Sequence, residues 1–174
     1  MNDPERILIT GFMGAGKTTA GAALARLLGC SMIDMDRLIA EREGLSCRTI
    51  IEEEGEARFR AAEERALSEA LENKMARVIA LGGGAWANPR NRALISEHKG
   101  LTVWLDAPFE LCWRRIRRMG DTRPLARRRE SARLLYEARR ASYELAPLRV
   151  SVAEGDDADK VAIEIIKAIG ERAQ

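Results

Sequence analysis

Gly11-Phe12-Met13-Gly14-Ala15-Gly16-Lys17-Thr18 follows directly on the apolar run Arg6 to Thr10 and opens a stretch of helical spacing. The segment satisfies GxxxxGK[ST] in the strand-to-helix setting that the pattern requires. Glycines let backbone N–H groups wrap a phosphate, and the helix that follows presents its positive end to the same anion. Lys17 is placed to reach the outer phosphates of a nucleotide, and Thr18 to hold Mg²⁺. Gly14, Ala15, Gly16, Lys17, Thr18 and Thr19 are the expected nucleotide-binding set. Hydrolysis, transfer and mere sensing stay open at this point.

Four more short apolar runs recur along the chain: Cys30 to Ile33, Arg77 to Leu81, Leu101 to Leu105 and Leu148 to Val152. They read as buried strands, and the segments between them carry helical spacing, as in Leu24, Leu27, Leu28 and in Phe59, Leu67, Leu71. Gly29 stands where a helix C-terminus wants a glycine. Alternating strands and helices predict one α/β domain over residues 1–174, a central five-stranded parallel sheet between two helical layers. Ligands in such sheets lie beyond the C-terminal ends of the strands. That rule selects residues 11–18, 34–36, 82–84 and the segment after Leu105.

Each of those places holds residues of interest, and each has a plain structural explanation beside the chemical one. Asp34-Met35-Asp36 has carboxylates two apart at a strand end, predicted to face the same side, although Asp36 is equally suited to cap a helix. In the helix Gly55-Glu56-Ala57-Arg58-Phe59-Arg60-Ala61-Ala62-Glu63, Arg60 is spaced to pair with Glu56 and Glu63, as surface ion pairs often do. Gly82-Gly83-Gly84 lets backbone approach a ligand closely, or is simply a tight turn.

Composition narrows the class further. Hydrophobic residues make up 46% and charged residues 32% of 174, with no repeat period, as in an ordinary globular domain. No apolar run is long enough to span a membrane, and the N-terminal residues carry both acids and a base, unlike a signal peptide. Cys30, Cys47 and Cys112 are odd in number and outside any CxxC pattern, and His98 is the single histidine. Neither a disulfide framework nor a zinc site is suggested, and a cytoplasmic setting fits. Net charge is +2, yet residues 114–140 hold eleven arginines against three acids. Such a block is a solvated helix face, a phosphate-handling lid or a nucleic-acid surface.

Taken in order, the phosphate loop, Asp34-Met35-Asp36, the Gly55 to Glu63 helix, the triple glycine, Thr122-Arg123-Pro124-Leu125 and a later arginine before Tyr143 resemble the shikimate kinase family over about residues 6 to 150. The resemblance implies a P-loop fold of the nucleoside monophosphate kinase type, with a helical lid at about 119–130 and substrate-binding helices at about 36–73. It implies transfer of the γ-phosphoryl group of ATP, with Mg²⁺, to shikimate, giving 3-phosphoshikimate on the way to chorismate and the aromatic amino acids. It further implies that Lys17, Asp36 and Arg123 are catalytic and that Arg123 also covers the γ-phosphate. Thr18 and Asp34 would serve the metal, and Asp36, Arg60, Gly83, Gly84 and Arg139 the acceptor. A fork of guanidinium groups suits a planar carboxylate.

This chain departs from the family pattern at Ala126 and at Ala141-Ser142 before Tyr143. Arg140 stands beside Arg139, so the second acceptor arginine is fixed only to within one residue. The adenine-stacking arginine is Arg115, Arg117 or Arg118. Other readings are a different small-molecule or nucleoside monophosphate kinase, and an inactive ATP-sensing relative that grips nucleic acid. Against the last, the basic block is broken by Gly120, Pro124 and acids, with only Tyr136 and Tyr143 to stack on bases. A monomer with no nucleic-acid or membrane partner is expected.

Overall fold

The structure, a computed structural model, describes residues 6–120 and 128–172. Five strands form one parallel sheet: β1 (Arg6–Thr10), β2 (Ser31–Asp34), β3 (Ala76–Ala80), β4 (Gly100–Asp106) and β5 (Leu148–Ser151), in the order β2-β3-β1-β4-β5. Every pairing is parallel. The three inner strands are almost wholly buried, with Ile7, Leu8, Ile9, Val78, Ile79 and Val103 at the centre of the core. Sequences apolar on both faces are what a sheet covered by helices on each side demands. Each strand lies within one residue of its expected bounds.

The helices are α1 (Lys17–Leu28), α2 (Met35–Glu43), α3 (Cys47–Thr49), α4 (Glu56–Glu72), α5 (Pro89–Glu97), α6 (Phe109–Arg118), α7 (Arg129–Tyr143) and α8 (Ala158–Arg172). α1 packs against α8, and α2 against α4. Gly29 ends α1 in the left-handed region at φ 62°, its N–H returned to the carbonyls of Ala25 and Arg26, as its place in the sequence predicts. The expected acceptor-side helices at about 36–73 correspond to α2, α3 and α4, joined by a π-turn at Ile50–Glu54. The lid expected at 119–130 overlaps α7 at its far end, since Arg129 and Glu130 are already helical. Arg123 lies outside the described residues.

One expectation fails in its reasoning. Asp34 and Asp36 do not alternate along a strand, because β2 ends at Asp34 and α2 begins at Met35. Asp34, not Asp36, caps the helix, its side chain accepting from the Arg37 N–H at 3.1 Å. Asp36 is the second helical residue, and both carboxylates still face one cavity.

Candidate active site

The loop between β1 and α1 is shaped by glycines that nothing else could replace. Gly14 has φ 78°, and a Cβ there would lie 2.6 Å from the Cys112 carbonyl oxygen, so both torsion and space exclude a side chain. Gly16 precedes α1 with φ 94° and supplies no side-chain cap. The first N–H groups of α1 are thus left for an external acceptor. Lys17 folds back over the loop and donates to the Phe12 carbonyl at 3.0 Å. Arg115, from α6, reaches across 101 residues to donate to the Gly14 carbonyl at 3.2 Å.

A cavity of about 440 Å³ runs along this loop. Gly14, Ala15, Gly16, Lys17, Thr18 and Thr19, the six residues expected to hold a nucleotide, all line it. At the middle, Thr18 donates to Asp34 Oδ2 at 2.5 Å. This pair brings a hydroxyl and a carboxylate oxygen together beside the loop, a donor set suited to a hard cation that keeps its remaining ligands as water and phosphate. Among the described residues no three His, Cys, Asp or Glu side chains form a cage of their own.

The cavity is also lined by Arg115, Arg118, Met119, Val152, Asp156, Asp157, Ala158 and Val161, from α6 and from the segment after β5 into α8. Of the three arginines left open for adenine, Arg115 and Arg118 line the cavity, while Arg117 lies over the Trp113 ring at 5.9 Å. The segment after β5 was missed by sequence reasoning. The strand-end rule, carried on to the fifth strand, points directly at residues 152–158. Asp156 accepts from the Ala153 N–H at 2.7 Å and from Lys160 at 2.5 Å, and Asp157 caps α8 through the Lys160 N–H at 2.7 Å. These bonds fix the loop that walls the site.

Asp36, Leu81 and Gly83 also line the cavity. A Cβ on Gly82 would lie 3.2 Å from Asp36 Oδ1 and 3.1 Å from Glu63 Oε2. Beyond Gly83 two guanidinium groups converge: a Cβ on Gly84 would meet Arg60 Nη2 at 2.6 Å, Arg60 Nη1 at 2.8 Å and Arg139 Nη2 at 2.9 Å. Arg60 donates to Glu63 at 2.9 Å and to Glu56 at 3.1 Å. Glu63 is only 1% exposed and its Oε2 has no hydrogen-bond partner among the described residues. Burial pushes its carboxyl above the usual range, more than the Arg60 guanidinium pulls it down.

Arg139 is 8% exposed, and its Nη1 stands 3.3 Å from the position of a Gly83 Cβ. Arg140 turns the other way, bonding Asp106 at 3.0 Å and the Tyr136 hydroxyl at 3.2 Å, and lying over Trp104. On geometry the convergent arginine is therefore Arg139. Two guanidinium groups facing one backbone turn, Arg139 buried and Arg60 part-buried, suit an anion between them, and the P-loop cavity lies beside it.

The family model of shikimate kinase matches residues 13–170. A shikimate kinase of Geobacter sulfurreducens is 41% identical over 98% of this chain and 93% of its own length. One from Ruegeria pomeroyi is 40% identical over 97% of this chain and 86% of its own. Among solved structures, shikimate kinase from Acinetobacter baumannii in complex with shikimate superposes with TM-score 0.89 at 35% identity, covering 96% of this chain and 93% of that one. A gluconokinase from Sinorhizobium meliloti, 18% identical with TM-score 0.62 over 99% of this chain and 95% of that chain, shares the fold alone. With the phosphate loop, the paired arginines and the sheet order in place, the chain belongs to the shikimate kinase family.

Proposed function

We propose that this chain transfers the γ-phosphoryl group of ATP to a hydroxyl of shikimate, with the acceptor's carboxylate held between Arg60 and Arg139. The observation that carries the reading is the approach of both guanidinium groups to within 3 Å of one point at Gly84, beside a phosphate loop. Phosphoryl transfer asks the protein chiefly to position two partners and to neutralise charge. Here the nucleotide phosphates lie on the N–H groups of Gly14 to Thr19, and the base end reaches Arg115 and Arg118. Lys17 gives up the Phe12 carbonyl for a phosphate oxygen. Thr18 and Asp34 are the residues that would hold Mg²⁺, which when bound offsets phosphate charge.

Asp36 sits between the phosphate loop and Gly82, so its carboxylate accepts from the reacting hydroxyl and orients it toward the nucleotide. Arg60 is held on its far side by Glu56 and Glu63, leaving its remaining N–H groups for the acceptor. Arg123 completes the proposal as the cation covering the γ-phosphate. The protein works as a cytoplasmic monomer, and among its described residues no helix is long and apolar enough to cross a membrane.

The test is a coupled assay of ADP release with Mg²⁺, ATP and shikimate. Shikimate-dependent ADP formation is expected. A folded sample that releases no ADP on adding shikimate, but does so with a different hydroxylated acid or a nucleoside monophosphate, overturns the reading.

A further inference from the structure

Tyr143 ends α7 one turn after Arg139, so the two side chains lie on the same helix face. Its ring is buried, 6.0 Å from Trp104, yet its hydroxyl is not spent within the helix. It donates instead to the carbonyl of Gly83, 60 residues away, at 2.5 Å. The Arg139 guanidinium lies beside the same turn, its Nη1 3.3 Å from the position of a Gly83 Cβ. Burial pushes the phenol up to about 12, so the group is a donor at any working pH.

No peptide bond among the described residues is cis. In a trans peptide the carbonyl of one residue and the N–H of the next point opposite ways. Drawing the Gly83 carbonyl toward α7 therefore turns the Gly84 N–H away from it. Within the described residues neither the Gly83 nor the Gly84 N–H finds an acceptor. Both glycines lack a side chain to resist rotation of that peptide, so something outside the turn has to hold it. A phenylalanine would fill the same core space without a polar group to satisfy; the hydroxyl has its use at the turn.

We propose that Tyr143 is a positioning residue for the acceptor, holding the Gly83–Gly84 peptide and Arg139 in the orientation that receives a carboxylate. The inference rests on the reading of the acceptor as shikimate. The end of α7 thus carries two sets of contacts: Arg139 and Tyr143 reach the glycine turn, while Tyr136 and Arg140 bond Ala107 and Asp106.

Tyr143→Phe tests this against Tyr136→Phe, which removes from the same helix a hydroxyl that bonds the Ala107 carbonyl at 3.0 Å and not the glycine turn. Shikimate binding is measured by calorimetry, and the Michaelis constants for shikimate and ATP by steady-state rates. Tyr143→Phe should weaken shikimate roughly tenfold, the equivalent of one hydrogen bond to a charged group, and leave the ATP constant alone. Tyr136→Phe should leave shikimate binding unchanged. Equal shikimate affinity in Tyr143→Phe and the parent overturns the inference, and so does an equal loss in both variants, which would mean general loosening of α7. A parent that fails to bind shikimate at all removes the functional reading and this one with it, whereas a binding parent with an unaffected Tyr143→Phe removes only this one.

Discussion

Gly84→Ala probes the acceptor end with one methyl group. Gly84 has φ −107° and ψ −8°, a conformation open to alanine, so the backbone need not resist the change. The side-chain space does resist. The new Cβ would stand 2.6 and 2.8 Å from the Arg60 nitrogens and 2.9 Å from Arg139 Nη2. Ordinary heavy-atom contacts begin near about 3.5 Å, so the guanidinium groups must retreat by roughly 0.5–1 Å. Charge-assisted bonds to a carboxylate span only about 2.7–2.9 Å, and that retreat breaks at least one of them. Each is worth about 1.5–3 kcal/mol. Arg60 is tethered by Glu56 and Glu63 and cannot follow the ligand freely. The shikimate Michaelis constant should therefore rise by about ten- to a hundredfold. Because the methyl lies away from the phosphate loop, the ATP constant and the thermal midpoint should stay close to those of the parent. Initial rates with shikimate varied at saturating ATP, and a melting curve, give all three quantities. An unchanged shikimate constant would refute the placement of the carboxylate, and a rise confined to ATP would move the acceptor elsewhere.

The two neighbouring arginines should separate cleanly. Arg139→Lys should raise the shikimate constant by about tenfold or more, since a point charge cannot reproduce a bidentate guanidinium, while Arg140→Lys alters contacts with Asp106, Tyr136 and Trp104 and should change it little. A larger effect from Arg140→Lys reverses the assignment. Asp36→Asn should lower turnover strongly with nucleotide affinity unchanged, and a loss of ATP binding instead would assign Asp36 to the metal. Glu63 predicts a pH dependence of stability: its raised carboxyl pKa means that the folded form holds a proton the unfolded form has released, so its contribution is full below the ordinary carboxylate range and is lost as pH rises through the raised value. The gap in denaturation midpoint between the parent and Glu63→Gln should shift against the parent as pH rises through that window, and a pH-independent gap would contradict it.

How far the sequence could be read follows from the range of the forces involved. The strands, the Gly29 cap and the phosphate loop are local features, and apolar periodicity or glycine torsion decides them. The arginine-rich segment shows the limit. Counted along the chain it looks like a free cationic face. In the fold, Arg114 pairs with Glu154, Arg129 and Arg133 with Glu110, and Arg140 and Arg149 with Asp106. All five of these partnerships draw on acids outside residues 114–140, and Arg149 itself comes from outside, so a local charge balance could not reveal them. Glu63 was legible only as an i,i+3 partner, because its burial depends on α4 packing beneath the glycine turn.

The acidic pair makes the same point in reverse. Period-two spacing predicted that Asp34 and Asp36 share a side, and they do, but a strand is not what aligns them. Asp34 leaves the sheet as the cap of α2, and Asp36 enters one position into the first helical turn. The cap fixes the angle at which α2 starts, because Asp34 accepts from the Arg37 N–H while its other oxygen takes the Thr18 hydroxyl. One carboxylate thus ties the helix that carries Asp36 to the helix that carries the phosphate loop. The start of α2, and with it Asp36, is therefore held relative to the first turn of α1 by the two oxygens of one side chain. Chain order alone could not separate a capping aspartate from an acceptor-facing one, since both roles call for a carboxylate within two residues of a strand end.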